Sequence, residues 1–254
     1  MKDDGTTAWI EDVRADRVGA VAAALEAGPR RVNTFVSESC SHGEEMWLPL
    51  HHAAEAGALG AMGLLLDGGG SPDCRSRFAT PWHARATPLH LACAAGRAAA
   101  VGLLLARGAS VEVRDALGRS PLHLAAGAGC AEAVDVLVSA GAMLDVVDGT
   151  GRTALHAAIA GAGSGGDAGA GCVAGALRLI EAGADVDARC PQEPEGFTPV
   201  HRCVSVGEAM LAVVEAVLSK GADTGLRDPR DGRTAAELAE ALGREGYVRL
   251  LGSA

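Results

Sequence analysis

Apolar positions recur along the chain in two alternating short patterns. The first is a narrow stripe behind a proline, as in Pro88-Leu89-His90-Leu91-Ala92 and Pro121-Leu122-His123-Leu124-Ala125. The second is an i, i+3, i+4 stripe: Val101, Leu104, Leu105; Val134, Leu137, Val138; Val214, Val217, Leu218. Each predicts a short amphipathic helix, because these spacings put the apolar side chains on one face. Gly96 and Gly129 fit the left-handed position that stops the first helix. Gly108 or Gly141 ends the second and turns the chain into an extended finger. The finger tips read Asp115-Ala116-Leu117-Gly118 and Asp148-Gly149-Thr150-Gly151, which are turn compositions.

The patterns repeat with a fixed period. Pro88 to Pro121 is 33 residues, and Pro121 to Ala154 is again 33. Thr87-Pro88-Leu89-His90-Leu91-Ala92 is echoed at Ser120–Ala125, Thr153–His156 and Thr198–His201, and more weakly at Leu48–His51. Thr or Ser stands as N-cap, Pro fits the first helical position, and His at N3 can hydrogen-bond back toward the cap. Large apolar pairs followed by Gly-Ala complete the unit at Leu104-Leu105, Leu137-Val138, Leu179-Ile180 and Val217-Leu218. Period and motif resemble the ankyrin repeat, whose signature is Thr-Pro-Leu-His-x-Ala. The resemblance implies an all-α repeat solenoid: a stack of helix-turn-helix units joined by extended finger or β-turn connections, about seven repeats including two degenerate caps.

The expected organisation is one continuous domain. It runs as an N-terminal capping repeat (1–36), an insertion (37–47), a repeat (48–73), an Arg/aromatic insertion (74–86) and repeats over 87–116 and 117–149. A repeat over 150–190 with a Gly-rich insertion (161–171), a repeat over 191–228 and a C-terminal cap (229–254) follow. The caps carry more charge on their helices (Glu11, Asp12, Arg14, Asp16; Glu237, Glu240, Arg244, Glu245), as the ends of a stack require. Leu48 replaces the capping Thr, which should cost that repeat about 1 kcal/mol. The Gly161–Gly171 run reads as a flexible linker between the two helices of its repeat.

Composition narrows the partners. Aromatics make only 3% and Gly contributes 35 residues, which suits a thin helical stack packed with small side chains. The formal net charge is −10, so a general nucleic-acid or anionic-membrane surface is not expected. No apolar run reaches the ~18 residues of a membrane span. Met1 to Arg14 carries Lys2, Asp3, Asp4, Glu11 and Asp12, so no secretory leader is expected there. Seven scattered cysteines without a Cys-x-x-Cys pair fit a reducing compartment, cytosol or nucleus.

Catalytic chemistry is not expected. His51, His90, His123, His156 and His201 occupy one repeat position, so a single capping role explains them, and groups about 10 Å apart on successive repeats cannot converge. Gly161-Ala162-Gly163-Ser164-Gly165-Gly166 contains Gly-x-Gly-x-x-Gly, but it follows a helix where the dinucleotide fingerprint needs a strand. Cys40, His42, Cys74 and His83 could in principle ligate zinc. Their tight Cys-x-His spacing and loop setting favour unrelated residues, so no metal and no cofactor is expected.

What remains is binding. Ankyrin-like stacks, by the resemblance, bind partners along finger tips and the inner face of the first helices. Cys74 to Arg85 puts Arg75, Arg77, Phe78, Trp82, His83 and Arg85 into one loop of an acidic, aromatic-poor chain, and Trp47 lies at the end of the neighbouring insertion. Arg and Trp are the side chains most often found at interface hot spots. Two readings stand: this loop contacts a partner, or Phe78 and Trp82 cover the edge of an irregular repeat while the arginines pair with Glu44 and Glu45. His52, Glu55 and Arg202 are second-tier candidates on the helix-one face. The finger arginines Arg119, Arg152 and Arg233 read as solvated turn residues. The expected function is a non-catalytic protein-interaction scaffold or adaptor, monomeric on its own. The alternative is a direct inhibitory or regulatory subunit of an enzyme.

Overall fold

The structure is a computed structural model that describes residues 4–28, 32–34, 36–40, 43–78, 84–163, 166–190, 198–228 and 231–252. It divides into two compact units, 1–121 and 122–254.

The first unit stacks helix pairs. α1 (Asp4–Arg14) pairs with α2 (Val18–Ala27), and a hairpin of β1 (Val36–Cys40) and β2 (Gly43–Trp47) follows. α3 (Pro49–Ala56) then pairs with α4 (Leu59–Asp67), and α5 (Pro88–Ala94) with α6 (Ala98–Ala106), with the two-residue strand β3 (Arg77–Phe78) between the pairs. α3 packs on α1 and α5, and α4 on α2 and α6, so first helices line one layer and second helices the other. Leu50, Met62, Leu65, Leu89 and Leu104 are sealed between the layers. The two insertions that the sequence presents as loops instead form an antiparallel sheet in the order β1-β2-β3, with Glu45 opposite Phe78 and Met46 opposite Arg77. Backbone groups in a long excursion need partners, and the two excursions supply each other's.

The second unit takes in almost all of α7 (Pro121–Gly127), and then α8 (Ala131–Ser139), α9 (Ala154–Ala162), α10 (Gly166–Ala182), α11 (Pro199–Val206), α12 (Leu211–Ser219), α13 (Ala235–Ala241) and α14 (Glu245–Gly252). Here α9, α11 and α13 form the layer of first helices, with α10 packed on α8 and α12. Leu137, Leu155, Ile159, Leu179, Ile180 and Tyr247 are fully buried. Among the described residues no helix is long and apolar enough to cross a membrane. The stacked helix pairs are the all-α repeat solenoid that the motif implies.

The Gly-rich run is not the expected linker. α9 reaches Ala162 and α10 starts at Gly166, so most of the run is helical and α10 has 17 residues where α8 has 9. Glycine is there for proximity. A Cβ on Gly171 would stand 2.1 Å from the carbonyl oxygen of Gly129, and one on Gly161 would stand 2.5 Å from that of Gly127. Low helix propensity is overridden because the missing side chains let backbones touch.

Candidate functional site

His51, His90, His123 and His201 each fasten the first helix of a repeat to the finger that follows it. His90 Nδ1 accepts from the Thr87 main-chain N–H (3.2 Å) and, at 2.9 Å, meets the Thr87 hydroxyl, while Nε2 reaches the carbonyl of Arg119 (3.1 Å). His123 reaches the carbonyl of Arg152 (2.9 Å) and His201 that of Arg233 (3.3 Å). At the irregular repeat, Leu48 offers no side-chain oxygen, yet its N–H still donates to His51 Nδ1 (3.2 Å) and His51 Nε2 reaches Ala86 (3.2 Å). In His51 and His90 one ring nitrogen accepts and the other donates, so these two imidazoles are neutral. Burial holds His51 and His90 down to about 4.

The histidines fix the fingers, and three fingers close on a related turn that is one residue longer at Asp228. Asp115 N–H donates to the carbonyl of Arg119, Asp148 to that of Arg152, and Asp228 to that of Arg233. Two residues before the capping Ser or Thr, Gly118, Gly151 and Gly232 adopt φ of 72°, 80° and 70°. The finger arginines are held within their own turns: Arg119 to Asp115 at 2.7 Å, Arg152 to Asp148 at 3.4 Å, Arg233 to Asp231 at 3.4 Å. Burial pushes the Asp148 carboxyl up, but hydrogen bonds from Thr150 and the Arg152 main chain, with the Arg152 charge, hold it below the usual range.

The finger of the Arg/aromatic insertion departs from this plan. Ser76 N–H donates to the carbonyl of Ala86 (2.9 Å), so Ser76, 3% exposed, stands where the other fingers have aspartate. Arg85 stands at the glycine position, with φ of 60°. Arg75 Nη1 donates to the carbonyls of Arg85 (3.4 Å) and Arg114 (3.1 Å), while Ala116 N–H donates to Ala84, so two successive fingers are joined. Arg75, Arg77, Arg85 and Arg114 are all exposed. Among the described residues no carboxylate lies within ion-pair distance of Arg75 or Arg85.

The structure thus brings Arg75 and Arg85 together and adds Arg114, which the sequence reading passed over. Phe78 enters through its main chain, paired with Glu45, while Trp82 and His83 lie outside the described residues. Two expectations need correction. Trp47 is 4% exposed and His52 is 1% exposed, so neither stands on an open face. Their rings meet at 5.0 Å, and Arg14 Nη2 donates to His52 Nδ1 (2.9 Å). The hairpin brings Trp47 down onto α3, and α1 closes over His52. Burial, with the Arg14 charge, lowers His52 to about 3. Glu55 and Arg202 are half-buried, and Glu55 lends its carbonyl to Arg97 Nε (3.2 Å).

Of the four zinc candidates, His42 and His83 lie outside the described residues. Cys74 Sγ lies 3.9 Å from His51 Nδ1, which already accepts from Leu48, and burial pushes the Cys74 thiol up to about 12. Among the described residues no group of three His, Cys, Asp or Glu could hold a metal. The sequence signal for the real irregularity was present but small: Gly118, Gly151 and Gly232 against Arg85 in one column.

The family model for ankyrin repeats (3 copies) matches residues 20–115 and 89–189. No curated protein gives a significant match to the sequence. Ankyrin repeats are generally protein–protein interaction modules and are typically non-catalytic. With the matched span covering well over half of the chain, and helix pairs, capping histidines and glycine-ended fingers in the family's order, this protein belongs to the ankyrin-repeat family.

Proposed function

We propose that the chain is a non-catalytic interaction module that binds a partner protein through its finger tips, with the segment around Arg75 and Arg85 at the centre of the contact. The observation that carries this reading is the finger whose Arg75 and Arg85 face solvent with no carboxylate within ion-pair distance among the described residues, on a scaffold braced by histidine–carbonyl bonds. Recognition on repeat scaffolds is set by the side chains presented, and a preorganised surface loses little entropy on binding. Arg77, Phe78, Trp82 and His83 extend the proposed contact along the same insertion, with Glu55 and Arg202 as second-tier contacts. The module acts either as a scaffold or adaptor or, alternatively, as a direct inhibitory or regulatory subunit.

The test is capture of bound proteins from the native source, identified by mass spectrometry. The natural chain is compared with one in which Arg75, Arg77, Phe78 and Trp82 are changed to Ser and whose helicity is checked by circular dichroism. A partner held by the natural chain and lost by the variant is the expected result. A partner held equally by both places the contact elsewhere, and no partner at all defeats the reading. An adaptor brings down two proteins at once and an inhibitor one.

A further inference from the structure

We propose that the surface formed by Arg75, Arg85 and Arg114 on two successive fingers is a docking site for an acidic segment of the partner protein; this rests on the protein-binding reading above. Three observations converge. The first is where charge is placed. In three other fingers the arginine before the cap (Arg119, Arg152, Arg233) pairs with an aspartate of its own turn (Asp115, Asp148, Asp231). In this finger Ser76 stands in place of the aspartate and Ala86 in place of that arginine, while Arg75 and Arg85, at other positions of the finger, have no carboxylate within ion-pair distance among the described residues of a chain with net charge −10. Carboxylates of a partner would supply what the turn lacks.

The second observation is backbone conformation. Arg85 adopts φ of 60° where the other fingers use glycine. A side chain is disfavoured there, since its Cβ crowds the backbone, and a fold with no use for the arginine is better served by glycine. The third is preorganisation. Arg75 uses Nη1 on the carbonyls of Arg85 and Arg114, which orients the guanidinium and leaves Nη2 and Nε to receive a carboxylate. Arg114 is exposed at the next finger, so the site spans two repeats and fits an extended segment rather than one ion.

Arg85→Gly separates binding from folding, because it removes the guanidinium and relieves the backbone. Its melting temperature is expected to equal or exceed that of the natural chain. The probe is a short peptide of alternating Glu and Ser, titrated into the full chain and followed by amide chemical shifts. A second peptide carries Gln for Glu. Saturable shifts at residues 74–78, 84–87 and 114–118 are expected with the Glu peptide alone. Affinity should fall with added salt and drop by about tenfold in Arg85→Gly, with a similar drop in Arg75→Gln. The proposal is overturned by shifts elsewhere, by equal binding of the Gln peptide, by unchanged affinity in Arg85→Gly, or by a single-stranded oligonucleotide binding where the Glu peptide does not. A natural partner that Arg85→Gly still captures in full would sink this surface while leaving the protein-binding reading intact. Failure of the natural chain to capture any partner would sink both.

Discussion

Histidine in this chain is used as a neutral double hook. Its Nδ1 holds the cap of its own helix and its Nε2 the carbonyl of the next finger, as at His90. Protonating Nδ1 would set two donors against each other. The folded values of about 4 for His51 and His90 and about 3 for His52 lie below the 6.5 of the unfolded chain, chiefly through burial. A depressed value means that the unfolded state takes up protons first. The contribution of these groups to stability is therefore complete above pH 6.5 and is lost as pH falls toward 4. Each would remove about 1.4 kcal/mol per pH unit within that window. Thermal melts at pH 7 and pH 5, where most carboxylates remain ionised, should show a clear drop. Equal melting temperatures would mean that the imidazoles are not held neutral. Asp148, also depressed, adds its loss at lower pH.

At the scale of elements, glycine plays opposite parts in different helices. Gly171 in α10 lies against the carbonyl of Gly129, whereas a Cβ on Gly102 in α6 would meet nothing within 4 Å. Gly171→Ala should lower stability by about 1–3 kcal/mol through overpacking. Gly102→Ala should raise it by about 0.5–1 kcal/mol, the cost of glycine in an open helix. Urea midpoints of the two variants against the natural chain check this; movement in the same direction would refute the close packing of α10. The paired behaviour shows why the Gly161–Gly171 run reads as a linker from sequence. Composition registers flexibility in isolation, and only the neighbouring backbone turns it into contact.

At the scale of the molecule, a stack is held by contacts between neighbouring repeats. The one tyrosine makes such a contact. Tyr247, fully buried in α14, donates its hydroxyl to the carbonyls of Cys203 and Gly207 and ties α14 to the end of α11. Burial pushes its hydroxyl well above the usual range. Tyr247→Phe would leave both carbonyls without this donor and should cost about 1–3 kcal/mol. Hydrogen exchange should report it first in residues 235–252. Loss of protection spread evenly over residues 122–252 would instead mean that the unit opens as a whole. In the first unit Asp16, at φ of 53°, makes a comparable tie by accepting with its carboxylate from the N–H groups of Gly60 and Ala61 at the start of α4.

The repeat, its period, the capping histidines and the helix-ending glycines were determined by sequence alone. Each depends on interactions within a few residues, or on one motif recurring every 33 positions. The finger arginines were legible as a cluster for the same reason. Tertiary structure decided the rest, because it turns on which distant segments meet. It set β1 and β2 against β3, buried Trp47 and His52, and made most of the Gly-rich run helical. It also separated arginines held by an aspartate of their own turn from those left facing solvent. That difference rests on the hydrogen bond from Ser76 to Ala86, which spans an insertion that repeat spacing does not register.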